Sequence, residues 1–259
     1  MSLKNRINRK GLFRSWIGMV VVYSLTISAG HIIIREVWIP IYSKQWLIGS
    51  LAVSFYIIGF VWYNLEKYQT LIQIRLMLGL GLANLISLTR GLFLFSLAGF
   101  MFLPRPENLV GWIPGLLYGC SLVGDYFDGY AARRFDSETV LGAKLDEELD
   151  SLGVLIASLV AYSYGMIPIL VLITVGSARY VFVLGKWIRK KIDKPVFELT
   201  DKSSRLIIAD AQRFFLFIAI LPLFGSSLTR IIASLLMIPF LGGFVRDWLI
   251  VIGAIERDN

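Results

Sequence analysis

Asp125-Tyr126-Phe127-Asp128-Gly129-Tyr130-Ala131-Ala132-Arg133, then eight residues, then Gly142-Ala143-Lys144-Leu145-Asp146-Glu147-Glu148-Leu149-Asp150, is the stretch on which the reading of this chain turns. Its four aspartates form two pairs spaced three and four apart, so each pair lies on one face of a helix. On the first helix Ser121, Asp125, Asp128, Gly129 and Ala132 share a stripe; on the second Gly142, Asp146, Asp150, Gly153 and Ala157 do. Both stripes set carboxylates beside residues with almost no side chain. That suits two helices lining a cavity where a metal and a ligand approach the backbone closely. Acidic runs are usually solvated helix ends, and Glu147 and Glu148, which point away from the stripe, are read that way. The aspartates differ because apolar segments flank them, and carboxylates at membrane depth are functional by default.

The surrounding chain is too apolar for a soluble domain. Of 259 residues, 56% are hydrophobic, mean hydropathy is +0.69, and runs long enough to span a bilayer (about 20 residues) recur. The formal net charge of +8 does not point to nucleic acid, because the basic residues flank apolar runs instead of forming one patch. The single cysteine, Cys120, excludes an internal disulfide and a thiolate metal site; it reads as a small packing residue. His31, alone in an apolar run, reads as a packing or interfacial residue.

Taken in order, basic residues 4–14 precede a first span from Trp16 to Ile34. It is too long for a signal-peptide core and no small-residue cleavage site follows. Pro40 sits in the next connection, and Trp46 to Leu65 is the second span. Residues 66–80 suit an amphipathic helix on the membrane surface. A third helix from Leu80 to Leu103 stops at Pro104 and Pro106, since proline lacks a donor and clashes with the preceding turn. Helices over 109–132 and 138–163 carry the two aspartate pairs, with Asp136 or Ser137 capping the second. Three more are expected over 168–191, 202–221 and 228–255, the last weakened by Pro239 and Gly242-Gly243. The fold class is therefore an all-α integral membrane protein. It comprises about eight spans, two in residues 1–70 and six in residues 71–259.

An even number of spans puts both termini on one side. On this topology the far side keeps only Arg35, Lys44, Arg105 and Arg230 of the 26 basic residues, so the near side is cytoplasmic. Arg90, Asp125, Asp146, Asp150, Arg179, Asp210 and Arg213 then all lie roughly 10–18 Å inside the cytoplasmic boundary. Lipid does not tolerate such a layer unless its members face each other or a water-filled chamber. Four carboxylates in one low-dielectric chamber need compensating cations. All-oxygen ligands favour Mg²⁺ or Mn²⁺ over zinc. Arg179, Asp210 and Arg213 suit either an interhelical ion pair or a substrate site.

The pattern Asp-x2-Asp-Gly-x2-Ala-Arg-x8-Gly-x3-Asp-x3-Asp resembles the signature of the CDP-alcohol phosphatidyltransferases at all eight fixed positions. An accidental match is on the order of one in 10⁹ per start position. The resemblance covers residues from about 71 onward, which makes them a six-helix transmembrane core and residues 1–70 an extension with two more spans, and it implies transfer of a phosphatidyl-type group from a CDP-linked lipid alcohol to a second alcohol, releasing CMP. It implies that Asp125, Asp128, Asp146 and Asp150 hold two Mg²⁺ or Mn²⁺ ions and that Asp150 is also the general base. It further implies that Gly129, Ala132 and Gly142 admit the cytidine, that Arg133 meets the diphosphate, and that Asn84 and Ser87 form a nucleotide-side element. Arg179, Lys202, Arg205 and Arg213 are candidates for an acceptor-phosphate pocket, although the proline that often follows Arg90 in glycerol-phosphate users is absent here. Expected partners are the lipid donor, the alcohol, the bilayer and, as is usual in such families, a second copy of the chain. The rival class is a divalent-cation transporter, which would need neither Arg133 nor the glycines opposite the acids.

Overall fold

A computed structural model describes residues 3–68, 82–134, 140–197 and 203–255. Among the described residues there is no strand. The elements are α1 (Leu3–Val37), α2 (Pro40–Tyr68), α3 (Leu82–Ala98), a 3-10 turn (Asn108–Trp112) leading into α4 (Ile113–Arg134), and α5 (Val140–Ser163). After them come α6 (Ile169–Val171), which runs into a π-helical turn (Leu172–Gly176), α7 (Ala178–Lys191), α8 (Ser203–Ile220) and α9 (Ser226–Val251).

This is an all-α membrane protein. Trp16–Val37, Pro40–Asn64 and Ser226–Val251 are long and apolar enough to cross a bilayer. Ile169–Gly176 and Ala178–Lys191, bent by 54°, make a fourth span if taken together. The sequence leads to an expectation of eight; these three, or four, are the ones that meet the length and apolarity of a span among the described residues. α5 carries Lys144, Asp146, Glu147, Glu148 and Asp150 in its first half.

Several boundaries differ from expectation. Pro40 opens α2 instead of lying in the connection, because its missing N–H and fixed φ suit a first helical position. α3 ends at Ala98, five residues before the expected stop, and Phe102 takes a left-handed φ of 65° in the turn that follows. The cause is packing: Gly30 and Gly99 leave the space that the Trp46 indole fills, and a Cβ on Gly49 would lie 2.5 Å from the Ala98 carbonyl oxygen. The expected helix 168–191 breaks at Ser177, after the π turn, whereas α9 runs through Pro239 and both glycines. The expected surface helix lies mostly in 69–81, and the capping residues Asp136 and Ser137 in 135–139, outside the described residues.

The chain divides into two compact units, Met1–Gly153 and Val154–Asn259. In the first, α3 packs on α4, and the α1–α2 hairpin packs on α3. α1 turns Tyr23, Ile27 and Ile34 inward while Val21, Val22, Leu25, Ile32 and Ile33 stay exposed. An apolar outer face of this kind is what a bilayer covers. His31 Nδ1 pairs with the Ser43 carbonyl at 3.1 Å, which ties α1 to α2 and agrees with a packing role. Cys120 is exposed on α4, not packed as expected. In the second unit α9 packs with α8 and α7. The Trp248 indole occupies the space left by Gly185, and Arg189 donates to the Pro195 carbonyl at 3.0 Å.

Candidate active site

The first unit brings three of the expected aspartates onto one cation. Arg90 of α3 places Nη1 2.9 Å from Asp125 Oδ1 of α4 and Nη2 2.6 Å from Asp150 Oδ1 of α5. The same Nη1 donates to Asp146 Oδ1. Asp146 and Asp150 are one helical turn apart, so a single guanidinium can meet both. The arginine is sealed in, its side chain 3% exposed, while those of Asp125, Asp146 and Asp150 are 26%, 44% and 21% exposed. The cluster thus has a buried cationic back and an accessible anionic front.

Small residues make this approach possible. A Cβ on Gly124, next to Asp125, would sit 2.7 Å from Arg90 Cγ, so the missing side chain is the room through which the arginine stem passes. One on Gly153 would be 3.3 Å from Leu94 of α3 and 3.7 Å from Tyr118 of α4. α3 is fixed on its other side as well. The Tyr23 hydroxyl of α1 donates to the Leu88 carbonyl at 3.0 Å, and Trp46 Nε1 of α2 donates to the Ser96 carbonyl at 3.0 Å.

Asp125, Asp146 and Asp150 each offer a carboxylate oxygen, and these lie within 4.8 Å of one another. Oxygen ligands at such spacing fit a hard divalent cation. The charge fits too, since three carboxylates against one guanidinium leave two negative charges. Asp128, Gly129, Ala132 and Arg133 follow on α4 and Asn84 and Ser87 precede Arg90 on α3, but their side chains lie outside the described residues. Gly142 lies one turn before Asp146 on α5, half-buried.

The candidate acceptor residues belong to the second unit. Arg179 is half-buried on α7, and Arg213 pairs with Asp210 of its own helix at 3.9 Å. The Arg205 side chain and all of Lys202 are outside the described residues.

Two first-unit residues carry more than sequence periodicity assigns them. Glu148, expected to be solvated, is 8% exposed and accepts a hydrogen bond from the Tyr56 hydroxyl of α2 at 2.5 Å. The reason is α2, whose Tyr56 meets Glu148 on a face of α5 that periodicity gives to water. Depth alone places Arg90 in the polar layer; nothing in the motif marks it as the partner of three aspartates.

The profile of the CDP-alcohol phosphatidyltransferase family matches residues 80–245. Arg90, Asp125, Asp146 and Asp150 all lie within that stretch, whereas α1 and α2 precede it. A protein of Cereibacter sphaeroides named CDP-diacylglycerol–glycerol-3-phosphate 3-phosphatidyltransferase is 39% identical over 88 residues, which is 33% of this chain and 39% of that protein. The match thus spans well under half the length of that relative. No solved structure matches the chain.

Proposed function

The chain belongs to the CDP-alcohol phosphatidyltransferase family, and from that premise we propose that it moves a phosphatidyl group from a CDP-linked diacylglycerol to a second alcohol, releasing CMP. The observation that carries this reading is the convergence of Asp125, Asp146 and Asp150, from two helices, on Arg90 of a third, within the family-matched stretch. In the reaction the acceptor hydroxyl oxygen bonds to the lipid-bearing phosphorus, the bond from that phosphorus to the CMP oxygen breaks, and the hydroxyl proton leaves. Asp150, the least exposed of the three carboxylates, receives that proton. A loose transition state releases that proton late, which eases the demand on a carboxylate that also faces a cation. Two Mg²⁺ or Mn²⁺ ions held by Asp125, Asp128, Asp146 and Asp150 would supply positive charge to the diphosphate oxygens and to departing CMP. Gly129, Ala132, Gly142, Arg133, Asn84 and Ser87 are proposed to bind the nucleotide side.

The acceptor is proposed to be a phosphorylated polyol, bound through Arg179, Lys202, Arg205 or Arg213. The name of the Cereibacter relative, which specifies glycerol 3-phosphate for that protein, supports this class. The enzyme is proposed to work as a multi-pass protein, as a homodimer, with the site and both termini on the cytoplasmic side. The test is purified protein with labelled CDP-diacylglycerol and a panel of alcohols, read by lipid chromatography; no labelled lipid product with any of them defeats the reading. Divalent flux into protein-loaded liposomes, without transfer, would revive the transporter alternative.

A further inference from the structure

We propose that Arg90 is a positioning residue: it is the resident counter-ion of the carboxylate triad and sets how tightly the triad holds a divalent cation. This role rests on the metal reading above and adds a residue to it. Burial is the starting point. A guanidinium whose side chain is 3% exposed is costly unless its charge is met, and here three carboxylates on two helices meet it. One polar atom, Nε, has no hydrogen-bond partner among the described residues. The side chain is therefore committed to its carboxylate contacts, all made through Nη1 and Nη2.

The exposures separate the partners. Arg90 is sealed in, its stem passing through the space left by Gly124, while the carboxylates keep 21–44% of their side-chain surface accessible. A cation arriving at them meets oxygens that already share their charge with a guanidinium. Two consequences follow. Without metal, the guanidinium offsets one of the three negative charges and eases the repulsion among the carboxylates. With metal, the fixed positive charge behind the carboxylates lowers affinity, so the ion is held reversibly. Removing a residue in contact with the site should therefore strengthen metal binding, the opposite of what loss of a merely supportive contact would do.

The test compares wild type, Arg90→Gln and Arg90→Lys, purified in Mg²⁺ and then stripped. Mn²⁺ binding is measured by electron paramagnetic resonance, and Tm with chelator and with Mg²⁺. Arg90→Gln should bind Mn²⁺ about ten- to a hundred-fold more tightly, the size of a neighbouring cation's effect on proton binding to a carboxylate. Arg90→Lys, which keeps a charge, should lie between the two. Arg90→Gln should also lose Tm in chelator and regain more of it with Mg²⁺ than wild type does. If it cannot be purified, the Arg90→Lys comparison decides by the same sign. Equal or weaker Mn²⁺ binding in the variants overturns the inference alone; no Mn²⁺ binding by wild type overturns it together with the metal reading.

Discussion

The Tyr56 hydroxyl of α2 donates to Glu148 Oε1 at 2.5 Å, joining residues 92 positions apart. Glu148 lies two residues from each of Asp146 and Asp150, so a helix that precedes the family-matched stretch holds the aspartate-bearing segment of α5 from behind. Tyr56→Phe removes this bond and little volume. It should cost about 1–2 kcal/mol of stability, as a hydrogen bond to a carboxylate does. Thermal unfolding in detergent checks this, and an unchanged Tm would show that the contact has no energetic weight.

Metal removal gives a second expectation. Activity should vanish in excess chelator and return with Mg²⁺ or Mn²⁺, while Ca²⁺ supports it poorly because its longer, looser oxygen contacts suit in-line displacement badly. Full turnover in chelator would contradict a metal role for the aspartates.

The carboxylates should not be equivalent. Asp150→Asn should keep CDP-lipid binding and lower kcat by about 10²–10⁴-fold, the usual worth of a general base. Asp125→Asn should weaken metal and nucleotide binding together. Mg²⁺ titration of CDP-lipid binding separates them: equal loss of metal affinity in both variants makes Asp150 a ligand and not a base.

Gly124→Ala tests the approach of α3 to α4 without touching a charge. The added methyl would stand 2.7 Å from Arg90 Cγ, and overpacking of this kind typically costs about 1–3 kcal/mol. Lower Tm with reduced kcat is the expected result. Wild-type values in both would mean that the arginine stem moves aside freely.

How much of the site is legible in the sequence depends on what each signal encodes. The aspartate spacing and the depth of Arg90 both follow from 3.6-residue periodicity and helix rise, so the polar layer can be written from sequence. Which carboxylates meet which cation cannot, because that depends on α3 and α4 closing over Gly124, a tertiary fact. Glu148 escapes for the same reason: periodicity assigns a residue to a face but not what covers the face. Helix ends are legible where proline sets them and illegible where packing does, as at Ala98, whose carbonyl meets Gly49 of α2.

The clasp of α1 and α2 on α3 has a consequence for biosynthesis. Translation delivers α1 and α2 before α3, while the aspartates that neutralise Arg90 are made later, on α4 and α5. An arginine at the centre of a lone helix opposes insertion by about 2.5–3.5 kcal/mol. At that moment the hairpin is already made and offers α3 two donors, Tyr23 for the Leu88 carbonyl and Trp46 for that of Ser96. The order of synthesis thus puts both of these contacts to α3 within reach before Asp125, Asp146 and Asp150 are made.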